Sequence, residues 1–304
     1  MNIDNYCGSL MGLAVGDAVG TTLEFEQPGS FNPLTDMVGG GIFDLEPGQW
    51  TDDTSMALCL AESLITCKGF DPIDQLKRYS KWFEEGYLSS TGECFDIGNA
   101  THDALVRFMA TNEPYCGSKN PRSAGNGSIM RLAPIPIFYA DVSLSELANF
   151  AAKSSQTTHA AATCVDACEY MTHIIVGLLK GLPKDEVLSP TFHLPATSEI
   201  CAIAVDSSYC GEPPEINGGG YVVSTLEAAL WAFYKTNNFK DGLLKVVNLG
   251  RDADTTGAVY GQIAGAFYGL KDIPKDWVNK IAMKELILDF ATKLYNQREQ
   301  HGLE

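Results

Sequence analysis

Along its 304 residues the chain repeats apolar positions at a three-to-four spacing almost from end to end. That period predicts helices over Asn5–Val15, Ser55–Cys67, Pro72–Glu85, Gly98–Thr111, Ile129–Tyr139, Ser145–Ser155, His159–Lys180, Val222–Lys235, Phe239–Leu249, Thr256–Gly269 and Lys275–Gln297. Sustained two-residue alternation, the mark of a half-buried strand, is nearly absent. Stretches rich in Gly, Pro, Asn and Ser separate the helices at 27–48, 112–127, 183–198 and 210–220. None has the composition of a flexible linker, no repeat of 20–50 residues is visible, and 201–220 fits no regular element. The expected architecture is all-α: a single compact orthogonal helical bundle over 1–304, with functional residues on loops at helix ends.

Two of these helices are crowded with small residues, in Gly8-Ser9-Leu10-Met11-Gly12-Leu13-Ala14 and again in Gly257–Ala266. Glycine inside a helix costs about 1 kcal/mol relative to alanine. Its recurrence at helical spacing predicts two backbones in close approach in the middle of the bundle. Membrane packing is excluded, because neither segment is long or apolar enough to span a bilayer.

The remaining composition narrows the function classes. Formal net charge is −17, which argues against nucleic acid and against an anionic membrane surface. The nine cysteines form no C-x-x-C pair and none stands beside a histidine at zinc spacing. They sit mostly in apolar windows as small hydrophobes, and a reducing, cytoplasmic compartment is expected. The N-terminal apolar stretch Leu10–Val19 is broken by Gly16 and Asp17 and lacks a basic region before it, unlike a signal peptide.

The chemistry concentrates in two acidic runs roughly two hundred residues apart. Thr51-Asp52-Asp53-Thr54 follows Gly48-Gln49-Trp50, and Asp252-Ala253-Asp254-Thr255-Thr256 follows Asn248-Leu249-Gly250-Arg251. Each opens a helix of small and apolar residues. Aspartate and threonine cap helices well, but one cap needs one side chain and each run offers three or four. Neighbouring positions diverge within a helix and can converge at the turn before one. Carboxylates gathered this way repel one another unless a cation lies among them. The oxygen-only set Thr51, Asp52, Asp53, Asp252, Asp254 and Thr255 suits Mg²⁺ or Mn²⁺, and two runs suit two ions about 4 Å apart.

Together with Met11-Gly12-Leu13-Ala14-Val15-Gly16-Asp17-Ala18 and Asn126-Gly127-Ser128-Ile129-Met130-Arg131, these runs give the chain a resemblance to the ADP-ribosylglycohydrolases, the relatives of the dinitrogenase-reductase-activating glycohydrolase. The resemblance extends over about residues 5–270. It implies an all-α fold, two Mg²⁺ or Mn²⁺ ions on the six residues above, and removal of ADP-ribose from mono-ADP-ribosylated protein side chains. It implies that Glu24 is the acidic residue of a mobile loop beside the metals. Asp96 corresponds to an acidic residue of arginine-directed members, and Asp96 and Glu24 are the catalytic candidates. Asn126, Gly127 and Ser128 match the segment that binds the ADP-ribose phosphates, a use consistent with exposed N–H groups at a helix start. His159, Gly219, Gly220 and Tyr221 complete the ligand-binding set.

The bland readings are helix capping for Asp96, a solvated loop position for Glu24, a satisfied structural histidine for His159 and a core aromatic for Tyr221. Arg131 is expected to tie loops together through carboxylates, and the C-terminal run Asn296–Gln300 to be a solvated tail. Histidines 102, 173, 193 and 301 have no evident partners. The expected substrate is an ADP-ribosylated protein, modified at arginine, with ADP-ribose as product. A serine linkage and a non-catalytic ADP-ribose binder are the alternatives. Both regulation of an endogenous target and immunity to a toxin are compatible with this chemistry.

Overall fold

A ladder of glycines sets the centre of the molecule. In α1 (Ile3–Gly20) a Cβ on Gly8, Gly12, Gly16 or Gly20 would stand 2.0–2.4 Å from the carbonyl oxygens of Gly265, Gly261, Gly257 and Ala253. The two helices therefore pack antiparallel, backbone against backbone, as the small-residue pattern predicts. This contact brings the start of one helix beside the end of the other.

The computed structural model describes residues 2–298. Fourteen α-helices appear among them, with isolated bridges but no strand. After α1 come α2 (Asp52–Cys67), α3 (Pro72–Glu85), α4 (Asn99–Thr111), α5 (Pro134–Phe138), α6 (Leu144–Gln156) and α7 (Ala162–Leu179). There follow α8 (Lys184–Val187), α9 (Ser198–Ala204), α10 (Val222–Lys235), α11 (Phe239–Val247), α12 (Ala253–Tyr268), α13 (Lys275–Lys280) and α14 (Lys284–Gln297). One continuous hydrophobic cluster runs through α1, α2, α7, α10, α12 and α14. The length and composition of α7 would let it cross a membrane, but 83% of it is buried by its neighbours.

Several boundaries differ from the sequence expectation. The helix expected over 129–139 forms only from Pro134, which occupies the first turn where its missing N–H costs nothing. The helix expected from His159 starts at Ala162. The long C-terminal helix is two, separated where Met283 turns left-handed at φ 53°. The short helix α8 lies in the stretch read as loop, and α9 runs from the end of that stretch into the segment that fitted no regular element. Arg298 is buried beside the ring of Tyr295 and pairs with Asp141 at 3.2 Å, so it is no solvated tail; Glu299, Gln300 and His301 lie outside the described residues.

Candidate active site

Two helix starts face each other at the floor of a cavity. Thr51 precedes α2 and Asp252 precedes α12, and neither side chain caps its own helix. The caps come from elsewhere. Asp17, fully buried in α1, accepts from the N–H groups of Thr51 at 2.9 Å and Thr54 at 3.0 Å. It also accepts from the hydroxyls of Thr51 at 2.9 Å and Thr54 at 2.6 Å. Glu24 follows the turn Thr21–Leu23 and accepts from the N–H of Ala253 at 2.8 Å. A carboxylate at a helix N-terminus also meets the positive end of the dipole. Capping by Asp17 and Glu24 leaves the aspartates of both runs facing the cavity floor.

The distant runs meet. The Thr51 hydroxyl stands 3.4 Å from Asp53 Oδ2 and from Asp254 Oδ2, and the Thr255 hydroxyl 3.4 Å from Asp53 Oδ2. Asp53 Oδ1 is buried with no hydrogen-bond partner. Glu24, Asp96 and Asp254 each bring a carboxylate oxygen within 4.8 Å of the other two. Asp96 sits at φ 59°, just before α4, whose N-cap is Gly98. Asp96 is therefore not a cap, and Glu24, 5% exposed, is not a solvated loop residue.

Such crowding makes ionisation costly. Burial first, then the Asp254 charge, pushes Asp96 up to about 11 and Asp252 up to about 7. The same causes, in the same order, raise Asp17 to about 7 and drive Glu24 and Asp52 upward. Asp53 rises through burial and then Asp17. A cluster of hard oxygen donors with one buried oxygen left unpartnered fits a hard divalent cation. Among the described residues the carboxylates that converge there are Glu24, Asp96 and Asp254, with no histidine or cysteine in the group.

The floor opens into a cavity of about 670 Å³ lined by Glu24, Asp52, Asp96, Asp252, Asp254 and Thr255 on one side and Asn126, Gly127, His159 and Gly220 on the other. Asn126 joins the two sides, donating to Asp252 Oδ2 and to Thr225 Oγ1, both at 2.9 Å. Close approach explains the glycines. A Cβ on Gly127 would stand 2.7 Å from His159 Cε1, and one on Gly220 would stand 2.8 Å from Asp252 Oδ2. His159 is buried, and burial followed by the Arg131 charge holds it down to about 3, so it enters the cavity as a neutral ring. Its Nδ1 lies 2.8 Å from Thr158 Oγ1, which accepts from Arg131 at 2.5 Å.

Not every expected ligand residue faces the cavity. Ser128 is turned into the core, its hydroxyl accepting from Ser155 at 2.9 Å. Thr51 and Asp53 lie beneath the cavity lining, and Gly219 contributes a carbonyl to Thr225 at 2.9 Å. Tyr221 is 43% exposed, on a neighbouring depression with Arg122, so it is neither a core aromatic nor part of the main cavity wall. Because α5 starts only at Pro134, the segment 126–128 does not head a helix, and its cavity contact comes from a single turn in which Ile129 and Met130 donate to the Asn126 carbonyl. Arg131 serves Thr158 and the ring of Tyr79 instead of a carboxylate. His173 and His193 stack on each other at 3.9 Å and His102 contacts Asp103 at 3.2 Å, so these three do have partners. Asp17 was missed by the sequence reading, although a lone carboxylate inside the apolar run Leu10–Val19 was its signal.

Comparison with known proteins agrees with this geometry. The chain is 42% identical to the ADP-ribosylarginine hydrolase Tri1 of Serratia proteamaculans, over 97% of this chain and 80% of that protein. It is 31% identical to the ADP-ribosyl-[dinitrogen reductase] glycohydrolase of Rhodospirillum rubrum, over 92% of this chain and 91% of that one. A solved ADP-ribosylglycohydrolase-related protein complex superposes with a TM-score of 0.87 at 41% identity, covering 97% of this chain and 98% of its own. The family model described as ADP-ribosylglycohydrolase matches residues 2–304. On fold, site and similarity together, the chain belongs to the ADP-ribosylglycohydrolase family.

Proposed function

We propose that this protein hydrolyses the N-glycosidic bond between ADP-ribose and arginine on mono-ADP-ribosylated proteins. The observation that carries the reading is the meeting of both acidic runs with Glu24 and Asp96 at the floor of one cavity. The names and similarity of the Tri1 relatives favour arginine as the linkage. Thr51, Asp52, Asp53, Asp252, Asp254 and Thr255 would hold two Mg²⁺ or Mn²⁺ ions. Bound there, such ions supply positive charge that orients ribose hydroxyls and acidifies a water.

The protein's own groups account for the proton traffic. Asp96, with a carboxylate oxygen within 4.8 Å of Asp254 and Glu24, is placed to give the departing guanidine nitrogen the proton it needs. As the bond from the anomeric carbon to nitrogen breaks, positive charge grows on the ribose, and the surrounding carboxylates stabilise it. Water adds its oxygen to the anomeric carbon and returns a proton to Asp96. Glu24 holds the start of α12 against the reacting cluster. Asn126, Gly127, His159 and Gly220 form the opposite wall for the rest of ADP-ribose, and the neutral His159 ring can hydrogen-bond there without altering the charge balance. Gly219 and Tyr221 act from its periphery, and Ser128 supports the turn from the core side.

The test is a linkage-specific assay. Arginine-modified and serine-modified proteins are incubated with Mg²⁺, and released ADP-ribose is quantified. Release from arginine is expected. Release from serine alone, or ADP-ribose binding without turnover of any linkage, would replace the proposal.

A further inference from the structure

Three phenylalanines from distant parts of the chain meet beside the cavity, one of them lining it, and two of them are chain neighbours of the candidate catalytic carboxylates. Phe25 follows Glu24, and Phe95 precedes Asp96. Phe43 bridges them, 6.4 Å from Phe25 with rings at 70° and 5.2 Å from Phe95 with rings at 59°. Phe25 lines the cavity yet is 56% exposed, so burial in the core does not account for it. Its backbone lies in the left-handed region at φ 61°, where a bulky side chain is an outlier. It is pinned there by its N–H donating to the Arg251 carbonyl at 2.6 Å and by the Arg251 N–H donating to the Glu26 carbonyl at 2.7 Å. Strain of this kind persists where the surroundings over-determine it, commonly at ligand-contacting positions.

We infer that the Phe25–Phe43–Phe95 rim is the docking surface for the modified arginine itself: the guanidinium, bonded to ribose beside Asp96, presents its outer face to Phe25, and the aliphatic stem runs out against Phe43 and Phe95 while the attached ADP-ribose fills the cavity. This rests on the arginine reading above and adds to it a source of linkage specificity. A planar guanidinium stacks favourably on an aromatic face and is weakly hydrated, so it gives up little water to do so. The rim segments 24–27, 42–46 and 93–97 carry Glu26, Asp44, Glu46 and Glu93 and no lysine or arginine. These four carboxylates outnumber Arg251, which the backbone holds beside Phe25 and Glu26, so the field at the rim favours a cation and a basic flanking sequence. Ile42, 63% exposed beside Phe43, extends the apolar surface toward the stem. A serine-linked substrate brings neither the cation nor the stem, and gains nothing from these rings.

The experiment compares Phe25→Ala, Phe25→Leu and Phe25→Tyr with the parent protein, using an ADP-ribosylarginine peptide as substrate and free ADP-ribose as competitive inhibitor. Phe25→Ala is expected to raise KM for the arginine peptide about three- to tenfold, with the inhibition constant of ADP-ribose unchanged within about twofold. Leucine, which keeps apolar area and loses the ring, should behave like alanine, and tyrosine like the parent. An unchanged KM in Phe25→Ala, an equal loss for free ADP-ribose, or parent-like behaviour of Phe25→Leu would each overturn the inference while leaving the hydrolase reading intact. Failure of the parent protein to act on the arginine linkage at all would remove both.

Discussion

The two acidic runs look alike in sequence and are built differently. The first is locked from inside the core: Asp17, on a helix that is itself held by the glycine ladder, accepts four hydrogen bonds from residues 51–54. The second is held at the start of α12 by Glu24, a loop residue that accepts from Ala253 and also reaches the reacting cluster of Asp96 and Asp254. One cap is purely architectural and the other doubles as a candidate participant in the chemistry. The comparison teaches that one helix start is held by a residue remote from the proposed chemistry and the other by a residue proposed to take part in it.

Asp254 touches both halves and should give the largest effect. Asp254→Ala is expected to lower turnover more than about 1000-fold, because a proposed metal ligand and a neighbour of the candidate acid disappear together. Its helical circular dichroism should stay intact. In chelator-treated protein its melting temperature should rise, since the Asp254 carboxylate crowds those of Glu24 and Asp96. A fall in that melting temperature would show that the carboxylates are not repelling one another.

Glu24→Gln and Asp17→Asn separate the two caps. Glutamine keeps a carbonyl oxygen for the Ala253 N–H, so stability should change by no more than about 1 kcal/mol while kcat falls about 100-fold. Asparagine at position 17 turns an amide toward N–H groups that need acceptors. In magnesium-saturated protein it should cost about 2–4 kcal/mol in denaturant unfolding, and it should weaken divalent-ion binding about 10- to 100-fold by loosening residues 51–53. If the two variants gave the same pattern, the contrast between the caps would be lost.

A pH series is gentler. The floor carboxylates have folded values raised above their unfolded ones, so their contribution is present below about pH 4 and is lost as pH rises through the folded values, about 7 for Asp17 and Asp252 and about 11 for Asp96. Metal-free protein should therefore lose stability between pH 6.5 and 8.5, by about 1.4 kcal/mol per pH unit for each proton the native state retains. His159 has the opposite sign: held down to about 3, it costs stability only below its unfolded value near 6.5, outside this window. Saturating Mg²⁺ should flatten the slope.

The runs were legible in the sequence because carboxylates repeated at a turn repel one another and exceed what capping uses, and the glycine ladder because helix-spaced glycine is costly without a packing partner. Asp17 was visible as an anomaly inside an apolar helix, but its partners are 34 and 37 residues away and only the fold brings them to it. The aromatic rim was hidden for the same reason: Phe25, Phe43 and Phe95 share no spacing, only a place. The late start of α5 was written in Pro134, whereas the break at Met283 and the short helices α8 and α9 fall below what periodicity over a few residues can reveal. Ser128 and Tyr221 were read by position in a motif, which does not say which way a side chain points.

The central claim is that residues 51–53 and 252–255 jointly hold divalent ions. Crystals grown with Mn²⁺ and measured for anomalous scattering test it directly. The expected map has peaks bounded by carboxylates from both runs, one of them in contact with Asp53 Oδ1. Peaks ligated by a single run, or none between the two helix starts, would contradict it.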